Sequence, residues 1–307
     1  MECALVSRGA RQASLLTSCV RVKRRQVGAL QGGARIYNHE FDGLYPVISE
    51  TPRDEQTTWW PRPVVLLAAA YMIVMVVHES AHALAAYAFN LPFTLFHFGV
   101  ILPRDAGTRM QLAAIAVAGP LSSLLIGLLC WFCYRRARGL RSELLWLYFT
   151  TFGLGGFVGN LMSTAFVGDF GRVAINLRVP LVARYAASIT GFVLVSAIHF
   201  MVGWELHRLS PTGSSRLRSL IVMVVIPLVA GTAIVTLSSI PIPSALVFGR
   251  FAETSFWVFA AVGLLMSRRT SSGTSQTLQL SWADMAMLAT AVIAVRILAG
   301  GIAFQQS

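Results

Sequence analysis

From Met110 to Tyr134 the chain carries no charged residue, and comparable apolar runs recur along its length. A run of about 20 apolar residues spans the hydrocarbon core of a bilayer as a helix. Composition agrees. The chain is 55% hydrophobic and 12% charged, with a mean hydropathy of +0.65, whereas a soluble domain carries about 25% charge. The expected fold class is therefore an all-α polytopic membrane protein. It should have about six to seven transmembrane helices, with a short membrane-edge β element after the first.

The apolar runs fall at about 63–89, 110–134, 143–167, 184–206, 220–240, 245–266 and 278–303. Asp284 and Arg296 interrupt the last. Residues 91–103 are too short to span as a helix, rich in β-formers and bounded by prolines. They read as a strand or hairpin at the membrane edge, shielded by protein. No internal repeat is visible, which weighs against a transporter built from inverted halves.

The formal net charge is +12. The basic residues do not form one stripe. They gather in the first 60 residues and in short gaps between apolar runs, near 135–141, 207–218 and 268–269. That is the positive-inside pattern, and no nucleic-acid partner is expected. Residues 1–60 read as a basic tail, disordered or transit-like. The plasma membrane of a prokaryote is the expected location. Cys130 and Cys133 read as small packing residues, and no disulfide framework is indicated.

Within the first apolar run lies His78-Glu79-Ser80-Ala81-His82. On a helix, residues i and i+4 share a face, so His78 and His82 can offer two imidazoles to one metal ion. Glu79 lies beside them, where a general base for water belongs. Ionisable residues inside a membrane helix are expensive, so function explains them better than chance. A catalytic zinc site commonly takes three protein ligands. Asp169 is the best third candidate, because it follows the glycine-dense segment Gly153, Gly155, Gly156 and Gly159, which permits close helix approach. The alternative for Asp169 is a loop carboxylate paired with Arg172.

These stretches resemble the site-2 protease family of intramembrane zinc metalloproteases. His78 to His82 matches its first core helix. Ala118-Gly119-Pro120-Leu121-Ser122-Ser123 matches the second, and Asn160-Leu161 through Asp169 the third. The resemblance covers about residues 63–175. It implies a three-helix catalytic core over 61–175, while the apolar pattern alone gives additional transmembrane helices over 176–307. It implies Zn2+ held by His78, His82 and Asp169, with Glu79 activating water and Asn160 holding the substrate backbone or the oxyanion. The 93–102 segment is similar to the family's membrane-dipping β element. The chain differs in lacking a proline between Asn160 and Asp169, in placing Phe170 before Gly171, and in Ser123 where asparagine is common.

The function expected is hydrolysis of a peptide bond within or near a transmembrane segment. The partners would be the lipid bilayer and, as substrate, a single-span membrane protein or its embedded remnant. An extended substrate segment could add to the 93–102 strand edge. Two alternatives remain: a non-cleaving membrane scaffold of the same fold, and a metal or solute transporter. Charge counting runs the first helix outward, whereas the family's runs inward, so orientation stays open.

Overall fold

A computed structural model describes residues 60–305, apart from 104, 138–139, 167, 212, 242–252 and 269–278. The basic tail lies outside the described residues. Among the described residues six helices are long and apolar enough to cross a membrane, and the protein is a multi-pass membrane protein. In chain order the elements are α1 (Pro61–Ala88), β1 (Phe93–Phe96), β2 (Gly99–Ile101), α2 (Arg109–Arg136) and α3 (Leu140–Met162). The short α4 (Asp169–Asn176) and α5 (Leu181–Leu209) follow. Then come α6 (Arg216–Ser238), the shorter apolar α7 (Glu253–Met266), α8 (Trp282–Ala299) and β3 (Ile302–Phe304).

Local chemistry sets the helix ends. Pro61 opens α1, where its missing N–H costs nothing. Thr108 and Gln111 form a capping box on α2, and Arg135 and Arg136 sit in its last turn against the dipole's negative end. Ser281 and Asp284 cap α8 in the same way.

Asp284 does more than cap. Its Oδ2 lies 3.1 Å from Arg62 Nε, a buried ion pair that ties the start of α8 to the start of α1. At the other end, Leu298 of α8 packs with Ala83 and Ala86 of α1. The two helices therefore run parallel. Arg296 near the end of α8 also donates to the Ile240 carbonyl just after α6. Between those points the chain must return across the bundle, and α7 makes the described part of that return. This accounts for the run expected at 245–266, of which residues 245–252 lie outside the described residues.

Helices from both sides of residue 176 share one core. Leu66, Leu147, Tyr148, Leu206, Met223, Trp257 and Leu264 meet in a single buried cluster. Where α2 crosses α3 the backbones almost touch, since a Cβ on Gly127 would lie 2.5 Å from the Leu154 nitrogen. Only glycine fits there.

The 91–103 segment forms a hairpin, as its composition predicts. Thr94 pairs with Ile101, and Phe96 with Gly99. The chain's end holds a correction. The last apolar run was expected to stay helical to about residue 303, but α8 stops at Ala299. Gly301, at φ +75°, turns the chain into β3. Glycine adopts that conformation freely. The strand β3 pairs antiparallel with β1, giving the order β2-β1-β3.

Candidate metal centre

His78 and His82 sit one turn apart on α1, with their Nε2 atoms 3.2 Å from each other. Asp169 Oδ2 lies 3.0 Å from His78 Nε2 and 3.3 Å from His82 Nε2. Zinc–nitrogen and zinc–oxygen bonds are about 2.0–2.2 Å, so tetrahedral ligands stand about 3.3–3.6 Å apart. The three atoms thus mark one face of a slightly compressed tetrahedron. Among the described residues this is the one His/Cys/Asp/Glu group able to hold a metal ion.

The rings are held from behind. His82 Nδ1 lies 2.6 Å from the Ile115 carbonyl oxygen. A carbonyl only accepts, so Nδ1 carries the hydrogen and Nε2 presents a lone pair. His78 Nδ1 meets Ser123 Oγ at 2.9 Å. These outer contacts fix ring orientation in the manner of metal-ligating histidines. Burial alone would raise the Asp169 carboxyl, but hydrogen bonding with His78 and His82 holds it below the usual carboxylate range. A shared proton between imidazole and carboxylate accounts for these contacts, and a metal ion bound among the three atoms would take that proton's place.

The second core helix makes room for the rings. A Cβ on Gly119 would overlap His82 Nε2 and lie 2.6 Å from His78 Nε2. Pro120 follows inside α2, where it removes one helical hydrogen bond. The Ala-Gly-Pro element thus places bare backbone against the histidines.

Asp169 arrives by a break in the third core helix. The helix α3 ends at Met162 and tightens into a 3₁₀ turn over Ser163–Ala165. Arg184 of α5 donates to the freed carbonyls of Thr164 and Ala165 at 3.2 and 3.1 Å. Gly168, at φ +99°, then swings the chain so that Asp169 opens α4. A side chain there would also collide with Ser163 Oγ. Asp169's near partners are the two imidazoles rather than Arg172.

Asn160 has both amide arms engaged. Its Nδ2 donates to the Gly156 carbonyl at 3.0 Å, and its Oδ1 accepts from the Asp169 N–H at 3.1 Å. Glu79 is 9% exposed, and its Oε2 is buried with no hydrogen-bond partner. Such an orphaned carboxylate oxygen is costly. Beside the two histidines it fits a group that awaits water and a cation.

Several contributors lay outside the sequence reading. Ser123 stood out only as a departure from asparagine, although its place four residues after Gly119 puts it on the same helical face. Gly168 precedes Asp169, whereas the family places its glycine after. The Ile115 carbonyl has no signal in a side-chain pattern. Of the other polar residues, the buried His199 hydrogen-bonds the Val195 carbonyl through Nδ1. Glu253 accepts from the Tyr71 hydroxyl at 2.9 Å.

No family model, curated protein or solved structure matches the chain in sequence and structure comparisons.

Proposed function

We propose that this protein is a zinc-dependent intramembrane metalloendopeptidase with the catalytic arrangement of the site-2 protease family. One observation carries the reading: His78 Nε2 and His82 Nε2, on a helix apolar enough to cross a membrane, converge with Asp169 Oδ2 within 3.0–3.3 Å, and the neighbouring Glu79 keeps Oε2 buried and unpaired.

His78, His82 and Asp169 would hold the zinc. When bound, it would acidify a water and polarise the scissile carbonyl. Glu79 would accept a proton from the attacking water and deliver it to the leaving amine. Ser123 and the Ile115 carbonyl would hold the imidazoles in register. Asn160 would act through Asp169, because its side chain is committed to the Asp169 backbone. Contact with a substrate carbonyl would require one of its two hydrogen bonds to open. The substrate would be a single-span membrane protein or its embedded remnant, in a prokaryotic plasma membrane. Helix-weakening residues near the scissile bond should favour cleavage, since an intact helix hides its carbonyls.

The test is reconstitution of the purified protein with zinc and a single-span model substrate, with products read by mass spectrometry. The reading expects cuts within or close to the membrane segment, lost with a chelator and lost in Glu79→Gln. Cuts confined to soluble loops, or cleavage that persists in Glu79→Gln, would remove it.

A further inference from the structure

Within the 93–102 hairpin expected to receive an extended substrate, β1 has no open side. β1 is the middle strand, with β2 on one edge and the chain's own C-terminus on the other. Phe93, Thr94 and Leu95 face Phe304, Ala303 and Ile302. A hairpin that follows the first core helix would otherwise present that second edge.

The edge belongs to the candidate site. Phe93 and Leu95 pack with Ala83, Ala86 and Ile115. Ala83 follows His82 directly, Ala86 lies one turn beyond it, and the Ile115 carbonyl orients His82. Glu79 also belongs to this side of α1. It lies seven residues after Met72 and four before Ala83, and so shares the helical stripe that packs against α8 and the sheet. The C-terminal segment therefore closes the edge of the sheet that packs on the His82 end of α1.

The occupant is lightly held. The strand β3 has three residues, of which Ala303 and Phe304 are exposed. Its side-chain anchors are the Phe304 ring stacked on Phe93 at 4.7 Å and the half-buried Ile302, which packs on the Phe93–Leu95 cluster. Short edge strands with exposed backbone bonds sit at the low-stability end of a fold. The turn before it admits only glycine, since a Cβ on Gly301 would lie 2.5 Å from Phe96 Cε1. By contrast, the root of α8 is fixed by the buried Arg62–Asp284 pair. The segment can leave the sheet while its helix stays.

We propose that residues Ile302–Phe304 are a built-in competitor for the β1 edge, and that an extended segment of the substrate pairs antiparallel with Phe93–Leu95 in their place. This rests on the protease reading and adds how the substrate is held and what it must displace. A tethered strand competes at an effective concentration of the order of millimolar. Apparent substrate affinity is therefore reduced by the fraction of molecules in which the edge is closed.

The test uses the full chain carrying Thr94→Cys and Ala303→Cys, which face each other across β1 and β3. Wild type, treated identically, controls for the native cysteines. Binding and cleavage of one tagged single-span model substrate are measured in oxidised and reduced states. Roughly tenfold weaker binding on oxidation, restored by reductant, is expected, and cleavage should follow it. Lock-sensitive binding without cleavage in either state would keep the competitor and remove the protease reading. Binding and cleavage equal in both states, with the disulfide verified by mass, would overturn the competitor. Gly301→Val gives the opposite arm. It should lower the KM several-fold and leave kcat near wild type, and an unchanged KM would count against the proposal.

Discussion

Two polar clusters lie within this apolar bundle, and they are built on opposite rules. Where α2, α3 and α5 meet, Arg208 donates to Glu205 at 2.8 Å and to the Tyr134 hydroxyl at 3.0 Å, and also pairs with Glu143. Tyr134 in turn donates to Glu205 at 2.6 Å. Every member has a partner of complementary character, and the network closes on itself. Around His78 the reverse holds. Two imidazole nitrogens and a carboxylate oxygen converge on one point, and Glu79 keeps an unpaired buried oxygen. A closed network joins helices. An open one, held rigid from behind by Ser123, Ile115 and Asn160, is built to receive something.

Substitutions should separate the two clusters. The largest effect is expected at the ligands. His78→Ala or His82→Ala should lose both zinc and cleavage, whereas Glu79→Gln should keep zinc and lose cleavage by about 10²–10⁴-fold. Metal analysis beside the cleavage assay reads both. Next comes Gly119→Val, which drives a side chain into both imidazoles and should abolish zinc binding. Gly155→Ala is its control, because a Cβ there meets nothing within 4 Å, and its zinc content should match wild type.

Ser123→Ala should be milder. It removes the group facing His78 Nδ1 and leaves the ligands, so zinc affinity should fall about 10–100-fold, measured by competition with a chelating dye. The smallest effect on the site is expected from Arg208→Leu. Breaking the closed network should cost about 1–3 kcal/mol of stability, read as earlier thermal unfolding in detergent, while zinc per folded molecule stays unchanged. If Arg208→Leu empties the metal centre, the division between the clusters fails.

The sequence carried the helices and the histidine pair because both are local. Apolar length marks a span, and i, i+4 spacing marks a shared helical face. Asp169 was legible only as one of two readings, because its position depends on a turn. That turn is set by Gly168 at positive φ and by Arg184 from a later helix. The third strand was not legible at all. Ile302–Phe304 continues an apolar run, and nothing in its composition tells a last helical turn from an edge strand. What decides is its pairing with β1, some 200 residues earlier. Likewise, Asp284 reads as an interruption of a span until Arg62 is found beside it.

The central claim is that His78, His82 and Asp169 hold one zinc ion. X-ray absorption at the zinc edge, on the purified full-length protein with metal content measured in parallel, tests it most directly. The account predicts about one zinc per chain, with two imidazole nitrogens and at least one carboxylate oxygen at roughly 2.0–2.2 Å, and loss of that signal in His82→Ala. A wild-type protein that takes up no zinc, or a His82→Ala variant with an unchanged spectrum, would contradict it.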